Sequence, residues 1–428
     1  MTYFISINKN TYLLLYLGLA WLLAFTYNFN FNSNSKYNFY AKNDADFMHT
    51  FDTYLNESLN AIKHIEEWIL MYSIDKPLFN NIINDTANQL CVGIITKKRH
   101  ATYFYPVQSV ASLLTRSKLK YQANIFITFL NVVDEPLKHD DLIYLDNLIG
   151  SVQVPAMNKD WNKTKLVPKV KEAFDYAKIM EYFYTNKTAC KYALLVEDDS
   201  IAAFEWYEKI YEALRIVDDK EPKSTSKWLC IKLFTSYRYF DFLTHMPTLI
   251  KTILVTFLAS FFQMIVLISL RLIKFKFMRH FELYALFLNT LLIVFWLNFT
   301  HISPLGYGIS EYSIGFNTVA NVYPRSILGA LSLYIERYVK RYLHDANTDI
   351  TNFLPKDLLL KEFKNEFRLK EYIVEPAVFQ HVGLQSSFSQ RLFDKFNIFK
   401  VHYRPFQSYS FNKEYLRPIV FDPNYWYI

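Results

Sequence analysis

The run Tyr192-Ala193-Leu194-Leu195-Val196-Glu197-Asp198-Asp199-Ser200 constrains the fold more than any other stretch, because an unbroken apolar segment ends abruptly in three adjacent acids. An apolar run of this length with no polar face reads as a strand buried on both sides, the kind found in the middle of a parallel sheet. Its carboxyl end then presents Glu197, Asp198 and Asp199, and carboxylates packed so closely attract a cation. Hard divalent ions such as Mg²⁺ or Mn²⁺ take oxygen ligands and keep part of their shell open for water or substrate phosphates. The pattern therefore points to phosphate or nucleotide-sugar chemistry. The competing reading is a strand ending in a solvated acidic turn, with Asp or Ser capping a helix that starts near Ile201.

Similar runs recur along the chain. Leu90–Thr96 (LCVGIIT), Ala123–Val133 (ANIFITFLNVV) and Trp228–Phe234 (WLCIKLF) read as strands. Val107–Leu119 and Lys169–Thr185 read as helices, and Phe204, Tyr207, Ile210, Tyr211 and Leu214 recur at helical spacing. Further on, Ser326–His344 and Pro355–Phe367 read as amphipathic helices and Tyr372–Val382 as an extended segment. This alternation predicts an α/β fold with a mostly parallel sheet and helices on both faces. Ligands of such sheets sit outside the strand carboxyl ends, where the acidic triplet would meet Thr96, Lys97, Lys98 and Arg99. Basic side chains facing a diphosphate across a metal suit that crevice, although a basic run after a strand is also an ordinary solvated loop. The absence of G-x-G-x-x-G, of G-x-x-x-x-G-K-[ST] and of G-x-S-x-G disfavours a dinucleotide site, a P-loop and a hydrolase elbow.

Only 8 glycines and an apolar fraction of 52% in 428 residues leave little room for disorder. A net charge of +7 with dispersed basic residues argues against nucleic acid as a partner. Three cysteines without a CxxC pair argue against structural zinc. The apolar residues also gather into three long stretches. The first is uncharged from Asn10 to Ser35, centred on Tyr12–Phe25, and reads as an uncleaved N-terminal anchor, since no small-x-small cleavage site follows it. Thr252–Leu270 and Leu283–Phe299 are each close to the roughly 20 residues that cross a bilayer. The basic connector Arg271–His280 would then lie in the cytosol and both flanks in the lumen, with two buried core helices as the alternative. Sequons begin at Asn56, Asn84, Asn162, Asn186 and Asn298, all lumenal in this topology. The expected organisation is a cytosolic tip and transmembrane anchor at 1–27, a lumenal stem and helical region at 28–89, and one catalytic domain in two parts, 90–247 and 301–428, interrupted by a transmembrane hairpin at 248–300.

Together these segments resemble the post-GPI-attachment GalNAc transferase family, Golgi enzymes with a GT-A glycosyltransferase fold into which a transmembrane hairpin is inserted. The resemblance rests on Val92–Arg99, on Tyr192–Ser200, on Trp228–Phe234 followed by the hairpin, and on Pro376-Ala377-Val378-Phe379-Gln380-His381-Val382-Gly383-Leu384-Gln385-Ser386-Ser387. It covers most of the chain from about Leu90. The block around His381 is also similar to the N-acetylglucosaminyltransferase IV family, and the hairpin favours the GPI enzyme. The resemblance implies a multi-pass Golgi membrane protein with a lumenal catalytic domain, which moves N-acetylgalactosamine from UDP-GalNAc to the mannose core of GPI-anchored proteins at the bilayer surface. It implies that Asp199 ligates Mn²⁺ (or Mg²⁺) on the donor diphosphate and that His381 is a further metal ligand or diphosphate contact. Glu197 would approach the ribose with Asp198 beside it, and Thr96 and Arg99 would touch the nucleotide. The base that takes the acceptor proton is expected to be Asp357, in Pro355-Lys356-Asp357-Leu358-Leu359, with Glu311 as second choice. Asp357 as a first-turn residue favoured by the helix dipole, and His381 as a satisfied core histidine, are the plainer alternatives. Cys91 and Cys190 would sit at neighbouring strands, which makes a disulfide between them a hypothesis. The rivals to this function are an N-acetylglucosaminyltransferase acting on N-glycans and a non-catalytic membrane scaffold.

Overall fold

The apolar runs do become strands. In the computed structural model the described residues are 44–71, 90–97, 104–117, 125–132, 148–156, 168–187, 189–221, 228–234, 308–311, 317–344, 353–375 and 377–381, with further positions at 142, 145, 254, 256–263, 265 and 287–291. The chain divides into two units, Met1–His49 with Asp241–Ser303, and Thr50–Phe240 with Pro304–Ile428. The second unit carries the sheet and the candidate site.

Ten strands are named in chain order: β1 (Leu90–Thr96), β2 (Ile125–Asn131), β3 (Ser151–Gln153), β4 (Tyr192–Glu197), β5 (Ser200–Ala202), β6 (Trp228–Lys232), β7 (Gly308–Glu311), β8 (Ala320–Pro324), β9 (Lys370–Glu375) and β10 (Phe379–His381). Eight of them form one sheet in the order β3-β2-β1-β4-β8-β6-β9-β7, while β5 and β10 form a separate two-stranded ribbon. β1 is parallel to β2 and β4, β2 to β3, and β6 to β9. β8 is antiparallel to both β4 and β6, and β7 to β9. The sheet is therefore mixed, with β8 running against its neighbours at the centre. The expectation of strands alternating with helices missed it, because Ala320-Asn321-Val322-Tyr323-Pro324 is short and carries an Asn in its interior.

Alternation along the strands decides which helices cover which face. Cys91 of β1 and Ala193 and Leu195 of β4 face α3 (Pro168–Asn186), α5 (Arg325–His344) and α6 (Lys356–Phe367), in a core with Ala177, Met180, Phe183, Leu328, Leu331 and Leu359. Tyr192 takes the opposite face, where its hydroxyl donates to Asp218 of α4 (Trp206–Lys220) at 2.5 Å. On that side Trp206 Nε1 donates to Leu113 O of α2 (Tyr105–Thr115) at 3.0 Å. Gly93 lets α3 approach the sheet: a Cβ there would lie 2.6 Å from Leu130 Cδ1 and 2.7 Å from Phe183 Cε2. The first described helix, α1 (Asp44–Met71), buries Ser58, Ala61, Ile62 and Ile65, the i, i+3, i+4, i+7 stripe of an amphipathic helix.

Three expectations are corrected. No helix begins at Ile201, because Ser200–Ala202 is drawn into the ribbon with β10, and α4 starts only at Trp206. The transmembrane anchor and hairpin are not found: among the described residues no helix is long and apolar enough to cross a membrane. The longest described helix, α1, has the length to cross but carries Asp44, Asp46, Asp52, Glu57, Lys63, Glu66 and Glu67. The anchor at 12–25, the basic connector at 271–280 and most of the two apolar stretches lie outside the described residues.

Cys91 and Cys190 form a disulfide with Cα atoms 5.7 Å apart, joining β1 to the turn that leads into its neighbour β4. Cys230 is a buried free thiol.

Candidate active site

The parallel strands β1 and β4 end side by side, with Ile95 opposite Glu197, so the triplet emerges at the carboxyl edge of the sheet. The three acids then take different directions. Asp198 turns back to β1: its backbone N–H donates to Ile95 O at 3.1 Å. Its Oδ2 accepts from Thr96 Oγ1 at 3.0 Å and from the Lys97 N–H at 3.2 Å. Asp198 and Thr96 thus clamp the two strand ends together, and the Thr96 hydroxyl predicted to touch the nucleotide serves this clamp.

Asp199 turns to the ribbon. β10 lies antiparallel to β5 with His381 opposite Ser200, and Leu233 O just beyond β6 accepts the Val378 N–H at 2.8 Å. This brings His381 Nε2 to 3.1 Å from Asp199 Oδ2. Glu197 completes the group: one ligand atom from each of Glu197, Asp199 and His381 falls within 4.8 Å of the others. Two carboxylates and an imidazole converging at that spacing suit a divalent cation such as Mn²⁺.

Glu197 is further tied to residues the sequence did not single out. Its Oε1 accepts from Thr318 Oγ1 at 2.8 Å and from Lys356 Nζ at 3.0 Å. Lys356 also lies 2.5 Å from Glu172 Oε1 of α3. Burial pushes the Glu197 carboxyl up, but Lys356 and His381 beside it together hold it below the ordinary carboxylate range. Conversely burial pushes the Lys356 ammonium down, while Glu172 and Glu197 hold it well above the usual lysine range. A pocket opens beside the group, lined by Lys97, Lys171, Glu172, Tyr176, Glu197, Asp198 and Lys356 among others.

Asp357 follows Lys356 in the first turn of α6, with the Thr318 side chain beside it. Its Oδ1 is sealed from solvent and has no hydrogen-bond partner among the described residues. Burial, aided by the nearby Glu172 and Glu197 carboxylates, raises its pKa from 3.8 to about 7, against the opposing pull of Lys356. A buried carboxylate oxygen without a donor is costly, and in an enzyme it is where a substrate proton can go. Glu311 is elsewhere. It ends the edge strand β7 opposite Tyr372, in the first half of β9 and so toward the other end of the sheet, where it is exposed and 3.5 Å from Lys370 Nζ. Of the expected site residues, the structure thus brings together Glu197, Asp199, His381 and, through Thr318, Asp357, with Thr96 and Asp198 supporting them. Arg99 lies outside the described residues.

The GPI-N-acetylgalactosamine transferase PGAP4 family matches residues 90–380, two thirds of the chain. The chain belongs to this family. It is a glycosyltransferase, and the family decides between the two resemblances in favour of the GPI enzyme and against a scaffold without turnover. The matched segment holds Glu197, Asp199 and Asp357 and stops one residue before His381. No curated protein matches the chain.

Lys356 and Thr318 were missed because neither stands in a motif. A faint signal existed for Lys356: a lysine at the first position of a helix opposes the helix dipole and asks for a reason.

Proposed function

We propose that this chain transfers N-acetylgalactosamine from UDP-GalNAc to the mannose core of GPI anchors, with a divalent cation, Mn²⁺ or Mg²⁺, held by Glu197, Asp199 and His381. The observation that carries the reading is the convergence of those three side chains within 4.8 Å, at the edge of a sheet that lies in the family-matched segment. When bound, the cation supplies positive charge that stabilises the departing diphosphate. Asp199 and His381 fix its position, and the Asp198–Thr96 clamp keeps the strand ends from parting. The pocket beside Glu197 takes the donor nucleotide, with Lys97 and Lys171 in its wall as counter-charges for phosphate. On the acceptor side, the mannose hydroxyl oxygen bonds to C1 of the sugar while the bond from C1 to the diphosphate oxygen breaks, and the electron pair leaves with UDP. Asp357 Oδ1 accepts the hydroxyl proton, a task suited to a carboxylate whose pKa lies near working pH.

The proposed location is the Golgi, with the catalytic domain facing the lumen. The Cys91–Cys190 disulfide supports an oxidising compartment. In that setting the exposed Asn56 and Asn186, each heading a sequon, are open to N-glycosylation.

The test is mass spectrometry of GPI glycans from cells lacking the chain, rescued with the native protein or with Asp199→Ala. Loss of a HexNAc mass that only the native chain restores is expected. An unchanged GPI profile with altered N-glycan branching would overturn the assignment.

A further inference from the structure

Lys356 occupies a position that neither helix nor core chemistry favours. It opens α6, where the positive end of the helix dipole repels an ammonium, and it is 7% exposed. What holds it there is a pair of carboxylates from two other elements, Glu172 of α3 and Glu197 of β4, with the Tyr176 ring centroid 5.3 Å away. Lys356 and Thr318 both address the same oxygen, Glu197 Oε1. Two donors on one oxygen fix the carboxylate plane, and among the described residues no donor reaches Oε2. The Thr318 side chain also lies beside Asp357, the next residue after Lys356. One short bridge therefore connects the cation-binding carboxylate to the base.

We propose that Lys356 is a positioning residue for the donor: it locks Glu197 through Oε1 so that Oε2 is presented to the bound cation and nucleotide, and it sets the distance from that carboxylate to Asp357. The proposal rests on the site reading above. Glu172 and Tyr176 line the same pocket as Lys356, so the lock also spans the wall against which the nucleotide packs. A lysine bound only for stability would not need to share its carboxylate with a threonine that also contacts the base.

The experiment is calorimetric titration of UDP, in Mn²⁺, into the purified full chain. Lys356→Met is expected to weaken UDP binding about tenfold or more, the scale of one charge-assisted contact that orients a ligand. Glu197→Gln should do the same, and the double variant should bind within about twofold of Glu197→Gln alone, because residues that act through one another are not additive. Lys356→Arg, which keeps the charge, should recover part of the loss. If Lys356→Met proves too poorly folded to titrate, Thr318→Val removes the second donor without touching charge. It should weaken UDP binding by a few fold, again with no further loss on top of Glu197→Gln. Native-like binding by Lys356→Met, or losses that multiply in the double variant, overturn the proposal. Asp199→Ala separates the two levels. If it binds UDP as well as the native chain, the cation-site reading itself fails, whereas loss in Asp199→Ala without loss in Lys356→Met defeats only the role of Lys356.

Discussion

Replacing Asp357 by Asn should make the protein more stable and less active at once. In the folded chain the Asp357 pKa is raised from 3.8 to about 7, chiefly by burial and then by the Glu172 and Glu197 carboxylates. A raised acid destabilises. Below about pH 4 the carboxyl is protonated in both the folded and the unfolded chain and makes no difference. Between about pH 4 and 7 the unfolded chain ionises while the folded one keeps its proton, so native stability falls as pH rises, and above about pH 7 the loss is complete. The displacement corresponds to about 4 kcal/mol at 1.36 kcal/mol per pH unit. Because the residue as a whole is only half-buried, we expect about 2–4 kcal/mol to be recovered by the isosteric, uncharged Asn, or roughly 5–10 °C in Tm for a domain of this size. The gain should be near zero at pH 4, grow through pH 5 and 6, and level off by pH 7.5. The assay is thermal unfolding of native and Asp357→Asn protein across that range in EDTA, which removes any cation that would offset the neighbouring carboxylates. Activity at pH 7 should fall about 10²–10⁴-fold, the usual worth of a general base. A gain that does not depend on pH would refute the electrostatic account, and near-native activity would refute Asp357 as the base.

Four further outcomes follow from the same structure. Glu311→Gln should leave activity within about twofold and stability within about 1 kcal/mol, because an exposed edge-strand ion pair contributes little; a large activity loss would reinstate Glu311 as a candidate base. Gly93→Ala should cost about 1–3 kcal/mol in denaturant unfolding, since the added methyl meets Leu130 and the buried Phe183 ring, and an unchanged midpoint would show that α3 can shift away cheaply. Cys91→Ser should lower stability by as much as about 4.7 kcal/mol, the chain-entropy value for a loop of about 100 residues. Mass mapping of the native chain without reductant should recover Cys91 and Cys190 in one linked peptide pair with Cys230 free.

How far the site could be read in advance varied with the kind of signal. β1, β4 and β6 were legible as continuous apolar runs, and α3, α5 and α6 as helical periods, because burial leaves its mark on neighbouring residues. β8 was not. Its Asn321 looks wrong for a central strand until the fold supplies partners: the side-chain amide donates to Asn317 O at 2.9 Å and to Tyr323 Oη at 3.2 Å. Glu311 failed as a candidate for the complementary reason. Its acidic character was visible, but its location depends on β7 pairing at the far edge of the sheet, which no local pattern predicts.

The chain's own order of residues determined that an apolar strand would deliver three acids to one edge of a sheet, since side-chain chemistry and the geometry of an extended backbone suffice for that. Only the tertiary structure divided the labour among them. Asp198 turned to Thr96 because parallel pairing sets β1 beside β4, and Asp199 turned to His381 because the β5–β10 ribbon brings together residues far apart in sequence. Lys356 and Thr318 acquired their roles in the same way, by arriving on Glu197 from elements that become its neighbours only once the sheet has closed around β8. Local sequence encodes burial and period over a few residues, whereas the approach of a donor to one carboxylate oxygen is set by the packing of whole elements.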